Sequence, residues 1–294
     1  MERTWVADGP YDLLRTLAPL RHATRDATHR LVDGALWRAT LTPDGPATYR
    51  LVQDDSAVAA TAWGDGAAWV LDGLPALLGE AVELEPQHPL LARALARHPG
   101  IRVPRTRRVL ESLVPAVLEQ KVTGEEARRA YTALLRRYGG PAPGPAPAGL
   151  LVPPGPEVWR RIPSWEWHQA GVDPRRMRTV LAACTVAGRL EEVTTLGREE
   201  ALARLTAVPG VGAWTAAEVA VRALGDTDAV SVGDYHLAAL VGWSLVGAPV
   251  DDAGMLELLE PYRPHRAIAV RLIELSGHKP RFGPRMTIQD HRRH

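Results

Sequence analysis

The sequence predicts a mainly helical body of two lobes, preceded by an N-terminal α+β domain built on an antiparallel sheet. Three observations lead to this fold class. Short β-like runs separated by turn residues fill the first part of the chain. From His88 onward, apolar residues recur instead at the spacing of amphipathic helices. A glycine-rich turn from Val208 to Gly212 then joins two of these helices sharply.

The N-terminal domain is predicted to span residues 1–100. The expected strands are residues 28–32, 34–42, 47–53, 57–63 and 67–72. Their turns, such as TPDGP and WGDG, are short, and short connections join antiparallel rather than parallel strands. Helices are expected to flank the sheet at residues 11–19 and around 74–80.

The helical region is predicted to span residues 101–294. A helix over residues 105–120 is followed by Thr123 and Glu126, whose spacing forms a capping box that starts a new helix. That helix should run to about Tyr138. Residues 139–156 contain seven prolines and are predicted to be a linker rather than a packed element. Other helices are expected at about 90–97, 156–169, 174–187, 198–207, 213–224, 235–246, 253–259 and 264–275.

Composition excludes several classes of protein. Hydrophobic residues make up 46% of the chain, which is ample for real cores, but no apolar run reaches the length of a membrane span. The N-terminal MERTWVADGP lacks the basic-then-apolar pattern of a signal peptide. A single cysteine, Cys184, excludes an internal disulfide, a cysteine-rich zinc site and an iron–sulfur cluster. We therefore expect a soluble intracellular protein.

The net charge of +1 conceals two basic segments. Residues 101–140 carry nine basic and four acidic groups, and residues 263–294 carry eight and two. Together they could form one positive face that attracts a phosphate backbone. Ordinary solvated helix faces explain the same charges equally well.

The turn Val208-Pro-Gly-Val-Gly212 is the most informative stretch. Gly210 and Gly212 let the backbone bend sharply and approach another surface closely, and the next helix begins with free amides and a positive dipole end. This is a helix–hairpin–helix pattern, which grips DNA phosphates without reading sequence. The carbonyls of Thr206, Val208 and Val211 could also bind a monovalent cation. A tight turn with no ligand is the alternative.

Twenty-two residues after Gly212, Asp234 follows a loop and precedes an apolar-periodic helix. As the N-cap of that helix, its carboxylate would be favoured in the ionised form by amide hydrogen bonds and by the helix dipole. A purely structural N-cap explains the position as well.

These motifs together resemble those of the helix–hairpin–helix (HhH-GPD) DNA glycosylase superfamily, and within it the 3-methyladenine DNA glycosylase II branch. The resemblance is carried by VPGVGAWTA, by its spacing to GDYHL, by VLEQKVTGEEA and by PYRPHRA. It extends over nearly the whole chain, and the N-terminal sheet matches an additional domain of that branch in position and size.

The resemblance implies a monofunctional DNA glycosylase of base excision repair, which hydrolyses the N-glycosidic bond of alkylated purines flipped out of duplex DNA. Asp234 matches the catalytic aspartate of the family. Members that also cleave the strand carry a lysine where this chain has Trp214, and an indole has no amine to form a Schiff base. A bifunctional glycosylase for oxidised bases is therefore disfavoured.

The remaining site residues follow from the same resemblance. Trp214, with Tyr235, Trp165 and Trp167, is predicted to line an aromatic pocket for a cationic base. Trp165 and Trp167 cannot share a helix face, so at least one should be core or rim. The predicted DNA contacts are Gly210, Gly212, Thr215, Gln120, Lys121 and Arg105, with Arg102, Arg107 and Arg108 as further backbone contacts if they face DNA. Surface arginines without a ligand are the equal alternative for each of the four.

The residue that fills the gap left by the flipped base is open. The branch tends to place an apolar residue where this chain has Lys121. Either Lys121 contacts phosphate while Gln120 or Val122 enters the stack, or Lys121 fills the gap itself.

The expected partner is double-stranded DNA containing damaged purines, bound by a monomer in the bacterial-type cytoplasm and so associated with the nucleoid. No cofactor is predicted apart from the structural Na⁺ or K⁺ at the hairpin. The principal alternative is a non-catalytic sensor of damaged DNA with the same fold. A metal-dependent hydrolase is discounted, because the ten histidines show no HExxH motif or paired-carboxylate arrangement.

Overall fold

The computed structural model describes residues 1–22 and 26–277. Its N-terminal part contains a five-stranded antiparallel sheet with the order β1-β5-β4-β3-β2. The strands are β1 (Glu2–Val6), β2 (His29–Val32), β3 (Ala35–Thr42), β4 (Gly45–Asp54) and β5 (Ala57–Trp63). The predicted antiparallel sheet is therefore confirmed. The edge strand β1, which pairs with β5, is absent from the sequence-based prediction.

Three short helices accompany the sheet: α1 (Leu13–Leu17), α2 (Ala67–Asp72) and α3 (Leu74–Leu78). The prediction of a strand at α2 is wrong. Its buried residues Ala67, Val70 and Leu71 recur at the i, i+3, i+4 spacing of a helix, and they pack into the core beneath β4 and β5.

Twelve further helices form the rest of the described chain. They are α4 (Pro89–Arg97), α5 (Val109–Leu118), α6 (Gly124–Tyr138), α7 (Pro156–Arg161), α8 (Ser164–Ala170), α9 (Pro174–Thr185), α10 (Ala187–Glu191), α11 (Arg198–Thr206), α12 (Ala213–Val219), α13 (Leu237–Leu245), α14 (Asp252–Leu259) and α15 (Arg266–Leu275). A π-helical turn, Ala220–Leu224, continues α12. The predicted capping box at the start of α6 is present, with Thr123 and Glu126 bonded reciprocally.

The helices bury two separate apolar cores, as expected for two lobes. The first lobe unites residues of α5 to α12, and Trp167 is one of its fully buried side chains. The second lobe unites α13, α14 and α15 with α4, although α4 precedes the first lobe in sequence. The mainly helical body of the predicted fold class is thus confirmed.

The proline-rich segment is not the unpacked linker that its composition predicts. Gly140–Pro141 (β6) pairs with Leu151–Val152 (β7), and Leu150 and Val152 are buried against Ala39 of the sheet. An amide of this segment, that of Leu151, donates to the carbonyl of Ala27 at 2.6 Å. Proline leaves few backbone donors, and the Leu151 amide attaches the segment to the chain just before β2.

A buried ionic cluster fixes the loop between α12 and α13. Asp228 accepts hydrogen bonds from Arg198 at 2.7 Å, from Arg263 at 3.1 Å and from Arg266 at 2.7 Å. Arg198 begins α11 in the first lobe, and Arg266 begins α15 in the second. Burial alone would raise the pKa of Asp228, but the hydrogen bonds from Arg266 and Arg198 outweigh it and lower the pKa to about 2.

None of the helices that the structure describes combines the length and the apolar composition needed to cross a bilayer. Most of the second basic segment of the sequence, residues 278–294, lies outside the described residues.

We predict that Asp228→Asn lowers the free energy of unfolding by about 3–5 kcal/mol at neutral pH, because removing one partner of a buried ion pair leaves the others uncompensated. Because the folded pKa of Asp228 is depressed, the stabilisation is complete above the ordinary value of 3.8 and is lost as pH falls through about 2. Urea unfolding at several pH values measures both effects.

Glu260→Gln is the matched control, since Glu260 pairs with Arg263, one of the same arginines, in an exposed ion pair. Its cost should stay below about 1 kcal/mol. Equal costs for the two variants would contradict the structural role assigned to Asp228.

Candidate active site

The turn between α11 and α12 has a buried base and an exposed tip. The side chains of Val208 and Val211 lie in the first core, and the Val211 amide donates to the Val208 carbonyl at 3.0 Å. Pro209, Gly210 and Gly212 are exposed. The predicted hairpin is therefore formed, with its backbone open to solvent at the tip.

The two glycines of the hairpin differ in backbone conformation and in the space around them. Gly210 has a φ of +89°, and a Cβ at this position would overlap the Thr179 hydroxyl on α9. Gly212 has a φ of −99°, and an added Cβ would meet nothing within 4 Å. The idea that both glycines serve the bend is thus wrong for Gly212, whose backbone suits any residue and whose surroundings are open.

Gln120 joins the α5–α6 turn to the hairpin. Its amide nitrogen donates to the Gly210 carbonyl at 3.0 Å and to the Thr215 hydroxyl at 2.8 Å. Thr215 is only 2% exposed. Its side chain is therefore enclosed and bonded to Gln120, which leaves its backbone amide in the first turn of α12 as the group for the predicted DNA contact.

Lys121 follows at the apex of the α5–α6 turn. It is exposed and has a φ of +55°, a backbone conformation that non-glycine residues seldom adopt. Val122 beside it is half-buried. Since the Gln120 amide is engaged with the hairpin, Lys121 is the member of this turn most accessible to an approaching ligand.

Asp234 lies at the seam of the two lobes, just before α13. Its Oδ1 accepts from the amides of His236 at 2.8 Å and Leu237 at 2.9 Å, and its Oδ2 accepts from the indole nitrogen of Trp214 at 3.3 Å. Asp234 therefore makes the side-chain contacts of the predicted N-cap, although regular helix begins only at Leu237. The carboxylate thus satisfies two amides at this helix end.

The four predicted aromatic residues are not brought together. Trp214 is half-buried beside Asp234, and Tyr235 is 64% exposed next to it in sequence. Trp165 is 61% exposed on α8, which packs against α6 and α9. Trp167 is fully buried against Trp159, with ring centroids 5.6 Å apart, so its assignment to an open base pocket is wrong.

The predicted arginine contacts are used inside the protein. Arg105 donates to the Thr194 carbonyl at 2.6 Å and Arg102 to Asp8 at 2.6 Å, while Arg107 lies over the Trp69 ring and Arg108 pairs with Glu191. Arg102 is buried, whereas Arg105, Arg107 and Arg108 are half-buried, so contacts of these three with DNA stay a prediction. A cluster of arginines in the sequence shows where positive charge is concentrated, but it does not show whether each guanidinium faces solvent or the protein interior.

Other basic residues lie near the hairpin instead. Arg175 and Arg178 are exposed on α9, the helix whose Thr179 lies against Gly210. Arg175 precedes Thr179 by one helical turn, and its carbonyl accepts the Thr179 hydroxyl at 3.2 Å. These two arginines were missed in the sequence because nothing there indicates that α9 packs under the hairpin.

Three acidic and polar residues around Asp234 were also missed. Glu218 accepts from the Ser231 hydroxyl at 2.5 Å, and Glu119 ends α5 nearby. Burial raises the pKa of Glu119, and the charges of Glu218 and Asp234 raise it further. The spacing of Trp214 and Glu218, four residues apart on one helix, is the sequence feature that could have revealed part of this arrangement.

Comparisons with known proteins show which proteins this chain resembles in sequence and in fold. No family model matches the chain. In two strains of Mycobacterium tuberculosis, the probable bifunctional transcriptional activator/DNA repair enzyme AlkA is 31% identical over 203 residues, covering 68% of this chain and 39% of the relative. The chain thus spans about two fifths of the length of the curated relatives it matches.

Solved structures give the same class over nearly the whole chain. The 3-methyladenine DNA glycosylase of Archaeoglobus fulgidus has a TM-score of 0.76 at 17% identity, covering 93% of this chain and 98% of that one. The 8-oxoguanine glycosylase/lyase of Clostridium acetobutylicum, in its apo form, has a TM-score of 0.69 at 12% identity, covering 94% of this chain and 96% of that one. This protein therefore has the helix–hairpin–helix DNA glycosylase fold, and its resemblance to that superfamily is confirmed.

We predict that Gly210→Ala destabilises the protein by about 1–3 kcal/mol, because alanine disfavours a positive φ and its methyl group would displace Thr179. Gly212→Ala, two residues away, is the control and should change stability by less than about 0.5 kcal/mol. Thermal and urea unfolding compare the two variants. Equal destabilisation would contradict the structural difference between the glycines.

A second prediction concerns Glu119. Because its pKa is raised in the folded state, the cost of ionising it grows as pH rises above its ordinary value of 4.5. The gain in unfolding free energy of Glu119→Gln over wild type should therefore be larger at pH 7 than at pH 4.5.

Urea unfolding at the two pH values measures this gain. Glu125→Gln, in the exposed first turn of α6, controls for the loss of one acidic group. A Glu119→Gln gain that is independent of pH would argue against a buried, pH-sensitive carboxyl at this position.

Proposed function

We propose that this protein is a monofunctional DNA glycosylase that hydrolyses the N-glycosidic bond of alkylated purines flipped out of duplex DNA, as a step of base excision repair. The observation that carries the proposal is the Asp234 carboxylate, held by two backbone amides and by Trp214 at the lobe seam, beside an exposed hairpin. The names of its AlkA relatives and of its structural neighbours support the class of reaction.

The charge of Asp234 suits this chemistry. A purine alkylated at N3 or N7 is cationic and already a good leaving group. As the glycosidic bond breaks, its electron pair moves to the base and leaves an oxocarbenium-like sugar. One fixed carboxylate stabilises that charge and orients a water, whose hydroxyl bonds to the anomeric carbon while its proton is released.

The absence of an amine at the hairpin supports hydrolysis without strand cleavage. Trp214 occupies the position where strand-cleaving members carry lysine, and its indole nitrogen donates to Asp234. A Schiff base with the sugar therefore has no nucleophile at this position. Trp214 and the adjacent exposed Tyr235 are the proposed aromatic surface for a cationic base, through cation–π attraction of about 0.5–2 kcal/mol.

DNA is the proposed partner, and the hairpin is its proposed docking point. The open backbone at Gly212 allows close approach of a phosphate, with Lys121 on the neighbouring turn and Arg175 on α9 supplying positive charge. The Clostridium acetobutylicum neighbour is solved in complex with double-stranded DNA. The Gln120 side chain is bonded to the hairpin. We therefore propose that Lys121 either fills the gap that the flipped base leaves in the DNA or contacts the phosphates beside that gap.

The hairpin also offers carbonyls suited to a monovalent cation. α11 ends at Thr206, whose carbonyl is one of the four that a helix end leaves without helical partners. Together with the carbonyls of Val208 and Val211, it would hold Na⁺ or K⁺ as a structural ion. The Val208 carbonyl already accepts the Val211 amide, and its second lone pair is the one left for an ion.

We predict that wild-type protein releases base from duplex DNA containing alkylated purines, and that Asp234→Asn lowers the rate by about 10²–10³-fold. Asparagine still accepts the two amides, so the loop is preserved while the charge is lost. Abasic sites are measured as strand breaks after alkali, with Asp54→Asn, exposed on the sheet, as the matched control.

Strand breaks before alkali treatment would show a lyase step and exclude a monofunctional enzyme. Lesion-preferring binding without base release from alkylated or deaminated substrates would favour a sensor of damaged DNA.

A further inference from the structure

A second carboxylate, Glu218, lies behind Asp234 and has no part in the mechanism above. It is half-buried on α12, one helical turn after Trp214. Residues four apart share a helix face, so Trp214 and Glu218 face the same loop. Trp214 contacts the Asp234 side chain, and Glu218 contacts the loop three residues earlier.

The contact of Glu218 with this loop is direct. Its Oε1 accepts from the Ser231 hydroxyl at 2.5 Å, and the Ser231 carbonyl in turn accepts the Asp234 amide at 3.2 Å. Ser231 therefore links the helix to the backbone turn that ends at Asp234. Gly233 inside this turn has a φ of +88°, so the chain reverses sharply there.

The other oxygen of Glu218 is held from the opposite side. Its Oε2 accepts from Arg222 at 2.7 Å, and Arg222 also donates to the Pro19 carbonyl at 2.9 Å. Arg222 places a positive charge between Glu218 and the N-terminal domain. That charge offsets the repulsion that an uncompensated Glu218 would exert on Asp234.

We propose that Glu218 is a positioning residue for Asp234, which it orients through the hydroxyl of Ser231. The proposal rests on the function proposed above. α12 holds the loop at two points: Trp214 contacts the carboxylate, and Glu218 fixes the turn that leads to it. Both contacts restrict the loop that carries the carboxylate, and an error of about 1 Å in a reacting group can cost about 10²-fold in rate.

The test compares Ser231→Ala, which deletes only the linking hydroxyl, with Ser231→Thr, which restores one. Ser244→Ala is the matched control: Ser244 is buried on α13, and its hydroxyl has no hydrogen-bond partner within the part of the chain that the structure describes. Glu218→Gln tests the charge. Urea unfolding checks that each variant is folded.

The first measurement needs no DNA. Hydrogen exchange at the His236 and Leu237 amides, which are bonded to Asp234, should be about tenfold faster in Ser231→Ala than in wild type. Ser231→Thr should restore the protection, and Ser244→Ala should leave it unchanged. Wild-type protection in Ser231→Ala and in Glu218→Gln overturns the proposal, whether or not the protein releases bases.

The second measurement links the positioning to chemistry. Single-turnover base release should slow by about tenfold in Ser231→Ala and Glu218→Gln, with the Kd for lesion DNA within about twofold of wild type. A weaker Kd with an unchanged rate overturns the proposal. Absence of base release by wild type itself would instead reject the proposed function, and the exchange experiment then decides on Glu218 independently.

Discussion

The arrangement of the site depends on one buried carboxylate, Asp228, and on the three arginines around it. A buried charge persists only where hydrogen bonds and opposite charges replace the water it has lost. Here those groups come from α11 in the first lobe and from the start of α15 in the second. The loop between α12 and α13 is thereby fixed to both lobes, and the seven residues from Asp228 to Asp234 carry that fixed geometry to the seam.

α12 connects the hairpin, the Asp234 loop and the N-terminal domain. Its N-terminal end forms one side of the exposed hairpin, and its next turns present Trp214, Glu218 and finally Arg222, which reaches Pro19 of the N-terminal domain. The docking tip, the carboxylate and the sheet domain are therefore connected through one short helix. In the proposed function, α12 would set the position of a phosphate bound at the hairpin relative to Asp234, and a helix sets it more rigidly than a flexible loop.

Local patterns in the sequence were sufficient for much of the fold. The capping box at Thr123 and the hairpin at Gly210 depend on neighbouring residues, and both are present. Long-range placement was not predictable. The sequence does not show that the Arg105 guanidinium donates to the Thr194 carbonyl. It also does not show which face of α8 is buried, and that face distinguishes the buried Trp167 from the exposed Trp165. Ser231 was missed because its role depends on a partner thirteen residues away in the chain.

The hydrogen bonds of Asp234 affect how the surrounding sequence can change in evolution. Two of its three donors are main-chain amides, which a side-chain substitution other than proline leaves in place. The hydrogen bonds of the carboxylate thus depend on the path of the backbone more than on the identity of the neighbouring side chains. Exposed positions such as Tyr235 are therefore free to diverge, so the proposed base-binding surface can evolve while the carboxylate keeps its main-chain hydrogen bonds.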